Sequence, residues 1–120
     1  MMKEYIVLIT PKDKTVFSLP EEEQKKHIEK VGDFIIKKTT EGTFLNAQPF
    51  EENGTILEGS AGNFREIKKK ELDEQIAGFY HVSAKNMEHV LSILKGDPRF
   101  EDGSWSMEIR PILSLKGINN

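Results

Sequence analysis

The chain has 120 residues, of which 37% are apolar and 31% charged, with a formal net charge of −3 and no cysteine. This length predicts one domain over residues 1–120 whose core needs no staple, and the lack of cysteine excludes disulfides and thiolate metal sites. The acidic balance argues against nucleic acid as a partner, and no apolar run approaches the roughly 18 residues that a membrane span needs.

Met1 to Tyr5 lack the long apolar run of a signal peptide, so a cytoplasmic location is expected. Residues 3–10 form a β-rich apolar run stopped by Pro11. Apolar side chains occupy both alternation sets of this first strand, Tyr5, Val7 and Ile9 in one and Ile6 and Leu8 in the other, as in a strand covered on both faces. Ser18-Leu19-Pro20-Glu21 is a helix start, with Ser18 as cap, Pro20 in the first turn and Glu21 at the capping-box position. The helix then runs to about Thr39 and stops before Gly42, with Ile28, Val31, Phe34 and Ile35 as its apolar stripe.

Gly42 to Ala47 reads as a second strand broken at Pro49, and Asn53-Gly54 is a turn signal before Thr55-Ile56-Leu57. Residues 43–59 are therefore expected to form a hairpin. Residues 60–74 are expected to be a loop with a short strand near Phe64 to Ile67. The basic run Lys68-Lys69-Lys70, flanked by Glu66 and Glu71, reads as a solvated loop rather than a phosphate-binding patch.

Gln75 to Val82 is a further strand, again apolar on both faces. Ser83 caps a second helix from about Lys85 to Lys95, with Met87, Val90, Leu91 and Leu94 on one side and Gly96 and Pro98 as its stop. Ser104 to Leu113 is the last strand, and Pro111 near its end favours an edge or a bulge. The tail, residues 114–120, is expected to be mobile.

The order β-α-β-(β)-β-α-β predicts an α+β fold of ferredoxin-like type, an antiparallel sheet with two helices on one face. Two helices cover only one face, yet two strands are apolar on both. An identical sheet is the simplest cover, which predicts a homodimer.

Several weak motifs in this order carry a resemblance. His27-Ile28-Glu29-Lys30 precedes Gly42-Thr43-Phe44-Leu45 and Pro49. Gly78-Phe79-Tyr80 is followed by Asp97-Pro98-Arg99-Phe100 and then Glu108-Ile109-Arg110-Pro111. Over about residues 3–113 the chain resembles the YCII-related proteins, including their Asp-Gly-Pro-Phe branch. That branch motif would fall at Ala61-Gly62-Asn63-Phe64, where only Gly62 and Phe64 agree. The resemblance implies a dimeric α+β barrel, two ferredoxin-like sheets packed face to face. It also implies a cleft in which His27 and Asp97 face each other, with no cofactor.

In such a pair the carboxylate would fix the imidazole tautomer and leave the other ring nitrogen as a general base. His27 lies roughly 40° from Val31 around the helix, at the rim of the apolar stripe. A catalytic pair, a non-catalytic ligand site and a structural pair in which Asp97 makes turn hydrogen bonds are all open readings.

Tyr80, His81 and Arg110 are candidate substrate contacts. Arg110 suits an anionic group, or pairs with Glu108 instead. Tyr80 and Trp105 either stack on a ligand or pack the core. His89 falls on the polar side of the second helix. No close spacing of ligands supports a metal site.

The leading expectation is a small-molecule enzyme that isomerises or eliminates through proton abstraction from a small polar metabolite. The alternatives are a dimeric binding module and a cofactor-free oxygenase.

Overall fold

A computed structural model of the chain describes residues 1–13, 15–69 and 75–120. Lys70 and Glu71, with the rest of the predicted charged loop at 70–74, lie outside the described residues. The elements run β1 (Lys3–Pro11), α1 (Glu21–Thr40), β2 (Phe44–Pro49), β3 (Gly54–Ser60), β4 (Asn63–Lys69), β5 (Gly78–Ala84), α2 (Met87–Leu94), α3 (Arg99–Asp102) and β6 (Trp105–Pro111).

Four strands make one antiparallel sheet in the order β2-β5-β1-β6. With α1 and α2 as the two crossovers, this is the ferredoxin-like α+β arrangement. The edge position of β6 accommodates Pro111 at its end, as the sequence predicts. Strand alternation builds the core. Tyr5, Val7 and Ile9 of β1 and Tyr80, Val82 and Ala84 of β5 are all buried on one face. Phe44 of β2 and Val90 and Leu94 of α2 join them, with Phe34 and Ile35 of α1 packed against the cluster. Ile6, Leu8 and Phe79 alternate onto the opposite face and are only half-buried.

α1 begins at Glu21 with Pro20 as its cap residue, two positions later than the capping-box reading places it. The Gln24 amide ties this end down by donating to the Leu19 and Phe17 carbonyls at 2.7 and 3.0 Å. The other end closes in a Schellman motif. Gly42 takes φ +82°, its N–H donates to Thr39, and the Thr43 N–H donates to Lys38. The inward face of α1 is rotated relative to the predicted stripe. His27 and Val31 are buried, whereas Ile28 is 68% exposed.

Three further elements differ from expectation. β2 pairs with β5, and the hairpin instead joins β3 to β4 around Ala61-Gly62, so Asn53-Gly54 is the entrance to the hairpin and not its turn. Both Ala61 (φ 50°) and Gly62 (φ 84°) are left-handed, as a two-residue type I′ turn requires. Ser83 belongs to β5, and Asn86 caps α2 by accepting from the His89 N–H. The His89 ring also accepts from the Lys85 N–H, so this histidine serves the helix start. The stop after α2 winds into a third helix, α3, and the tail folds into a hydrogen-bonded turn over residues 115–120.

Pro49 of β2 lies directly opposite Gly78 of β5. A Cβ on Gly78 would stand 2.6 Å from the Gln48 carbonyl oxygen and 3.2 Å from Pro49 Cα, both backbone atoms. Gly78→Ala therefore forces β2 off β5. It is expected to destabilise the fold by about 1–3 kcal/mol, read as a lower urea midpoint at unchanged slope.

Candidate functional site

A cavity of about 480 Å³ opens between α1 and the ends of β2 and β5. Its walls are mainly apolar, from Ile9, Val16, Phe17, Ile28, Val31 and Ile35. Ile28, the outlier of the predicted stripe, is exposed because it faces this space rather than the core. The polar members of the wall are Gln24, His27, Gln48, Tyr80 and Arg99, with Glu51 and Glu52 at the β2 end.

His27 stands one helical turn before Val31 and is 8% exposed. Its Nδ1 lies 2.7 Å from Oδ2 of Asp102, the last residue of α3. That hydrogen bond holds the Asp102 carboxyl below its ordinary value of 3.8; burial opposes it, and the Lys30 charge adds to the lowering. Lys30 Nζ is 3.6 Å from Asp102 Oδ1 and 3.8 Å from Glu101, so two successive inward turns of α1 grip α3. An ionised carboxylate can only accept, which puts a proton on His27 Nδ1. In the neutral ring Nε2 then carries the lone pair, and it makes no hydrogen bond among the described residues.

Asp97 has a different set of partners. Its side chain is fully buried. Oδ2 accepts from the Tyr80 hydroxyl at 2.7 Å and from Arg99 Nη1 at 3.3 Å, and Oδ1 accepts from the Arg99 backbone N–H at 2.9 Å. Arg99 Nη1 also donates to the Tyr80 oxygen. Burial pushes the Tyr80 phenol up; Arg99 opposes this and Asp97 adds to it. Tyr80 is thus a neutral hydroxyl with one donor and one acceptor role filled. Its ring stacks on Phe44, with centroids 4.4 Å apart.

Arg99 links this network to the His27 wall. Its guanidinium lies 5.6 Å from the Tyr80 ring centroid and 5.4 Å from that of Trp105. The Trp105 ring in turn lies nearly parallel to the His27 imidazole, 6.3 Å away at 10°.

The chain matches the family model of the YCII-related domain over residues 3–116. The protein belongs to the YCII-related family. No curated protein matches it.

In this YCII-related chain His27 does have a carboxylate partner, but the partner is Asp102 and not Asp97. Asp97 makes the turn hydrogen bonds of the structural reading, together with the buried pair to Arg99. Of the predicted substrate contacts, only Tyr80 lines the cavity.

His81 and Arg110 alternate onto the opposite face of the sheet, and sheet pleating puts them out of reach. There His81 Nε2 sits 2.7 Å from Glu4, and Arg110 sits 3.3 Å from Glu108 of its own strand. The same pleating separates His81 and Glu108 from His27 and Asp97. Among the described residues no three His, Asp or Glu side chains converge as a metal site requires.

Asp102 and Arg99 escaped the sequence reading because both belong to a four-residue helix that the Gly96 and Pro98 stop signals concealed. The available signal was the acid run Glu101-Asp102 before Gly103, a helix-terminal carboxylate within reach of a histidine.

The lowered Asp102 carboxyl contributes stability above its unfolded value and loses it as pH falls through the folded one. Wild type should therefore be more stable than Asp102→Asn near pH 6. The gap should close between roughly pH 5 and pH 2, read by urea denaturation at each pH.

Proposed function

We propose that this protein is a small-molecule enzyme in which His27 is the general acid–base and Asp102 orients it. The observation that carries the reading is the His27–Asp102 hydrogen bond at the wall of an open, largely apolar cavity. The carboxylate fixes Nδ1–H and stabilises the imidazolium that forms when Nε2 takes a proton. The apolar wall limits competing water.

A base with one lone pair and no covalent nucleophile beside it suits proton abstraction next to a carbonyl, with return of the proton at another carbon (isomerisation) or loss of a leaving group (elimination). In this scheme Tyr80 belongs to the wall and Asp97 lies buried behind it. They hold Arg99, and Arg99 holds Trp105 beside the imidazole.

Proton abstraction leaves a trace before the true substrate is known. In D₂O, the protein should wash deuterium into the acidic C–H positions of a panel of cyclic ketones and lactones, followed by NMR. His27→Gln should lower the exchange rate by about 10²–10⁴-fold while the thermal midpoint holds, and Asp102→Asn should also lower it. Binding without exchange across the panel would leave a non-catalytic binding module, and a His27→Gln variant that unfolds would make the histidine structural.

We also propose that the protein is a homodimer. Two features support this. Among the described residues no helix lies on the sheet face bearing Ile6, Leu8 and Phe79, and the β3–β4 hairpin exposes Leu57 and Phe64 at 66% and 68%. Sedimentation should give a dimer mass at micromolar concentration, and Phe79→Asp should shift it to the monomer with the fold retained. A wild-type monomer at that concentration would overturn the dimer.

A further inference from the structure

The charges around the cavity are already matched or are negative. Arg99 and His27 are the only basic side chains that line it among the described residues. The Arg99 guanidinium is committed to the buried Asp97 carboxylate at 3.3 Å and covered by the Tyr80 and Trp105 rings. His27 is committed to Asp102 at 2.7 Å. Lys30 faces Asp102 and Glu101 outside the cavity and is spent on them. Glu51 and Glu52, both exposed, bring two further carboxylates to the rim and have no ion-pair partner among the described residues. Gln24 and Gln48 add polarity without charge.

We infer that this cavity takes neutral or cationic apolar ligands in preference to anions, with Glu51 and Glu52 as the selecting residues. The physical basis is the uncompensated negative potential. An entering carboxylate or phosphate meets the two rim carboxylates and finds, among the described residues, no free cation inside to repay its desolvation. An ammonium, or an uncharged ring with a polar substituent, meets no such barrier. The low-dielectric apolar walls focus the rim charges into the cavity. The inference rests on the cavity being the ligand site of the proposed function, and it names the substrate class for that site.

A matched trio separates charge from shape: benzylamine, benzyl alcohol and benzoate at pH 7. Trp105, the sole tryptophan of the chain, lines the cavity and reports binding by its fluorescence. At low salt benzylamine should bind at least about ten-fold more tightly than benzoate, with benzyl alcohol between them. The ratio should shrink to within about three-fold in 0.5 M salt. The double variant Glu51→Gln/Glu52→Gln should shrink it similarly while leaving benzyl alcohol unchanged.

Benzoate binding as tightly as benzylamine would overturn the charge preference and leave the acid–base reading intact, since benzyl alcohol binding and His27-dependent exchange report on that reading separately. Failure of all three probes to perturb Trp105 or to compete in ligand-observed NMR at millimolar concentration would overturn the inference together with the ligand site beneath it.

Discussion

A buried carboxylate must be paired, and Asp97 is the one around which this site is arranged. Its side chain has no solvent contact, so the whole cost of desolvation falls on its protein partners. Three groups meet it from two directions: the Tyr80 hydroxyl from the sheet, and the Arg99 guanidinium and backbone N–H from the start of α3. Removing one partner of such a pair typically costs about 3–5 kcal/mol, because the remaining charge is left uncompensated. The demand to satisfy Asp97 therefore pins the α2–α3 turn onto β5. It also draws Arg99 over the Tyr80 and Trp105 rings. With α3 fixed at its beginning, its last residue, Asp102, is delivered to the side of α1 where His27 stands.

The two aspartates thus divide the labour. Asp97 is dry, fully hydrogen-bonded and remote from solvent, a group that fixes geometry. Asp102 is partly exposed, paired to one imidazole nitrogen and steadied by Lys30, which leaves the other nitrogen of His27 at the cavity. Five residues apart in sequence, they differ because one faces the sheet and the other faces a helix. The apolar walls strengthen whatever electrostatics the His27–Asp102 pair supplies, since water competes less there than in bulk.

The hairpin gives the molecule its outline. The principal extents are 49 × 40 × 20 Å and the radius of gyration is 16.4 Å, well above the roughly 13–14 Å of a compact chain of this length. β3 and β4 pair with each other and with no strand of the main sheet. A two-stranded hairpin standing alone is marginal in water, so its apolar side chains call for cover. Its entrance, residues 50–52, lines the cavity, as do Gln75 to Ala77 just before β5. Whatever covers the hairpin acts on the mouth of the site.

Much of this was legible in the residues themselves. The β-rich apolar runs at 3–10 and 75–82, and the Gly42 and Pro98 stops, determine the strand–helix order, and the order determines the ferredoxin-like fold. The apolar neighbour Ile28, which faces the cavity, concealed which side of α1 faces inward. The one-residue rotation that buries His27 comes from packing against α3 and Trp105, not from the apolar count. Asn53-Gly54 carried the local hairpin signal, but β2 found its partner in β5, about thirty residues on, at the edge of the four-stranded sheet, where pairing buries Phe44 in the core.

By itself, then, the sequence determined the elements and the fold, which follow from local patterning and turn chemistry, while its resemblance to the YCII-related proteins marked His27 as the residue to examine. Only the tertiary structure decided which carboxylate holds that histidine, that His81 and Arg110 lie on the other face, and that the surrounding cavity has no free cation among the described residues. Those outcomes depend on sheet pleating and on how one buried charge is satisfied, both of which join residues far apart in the chain.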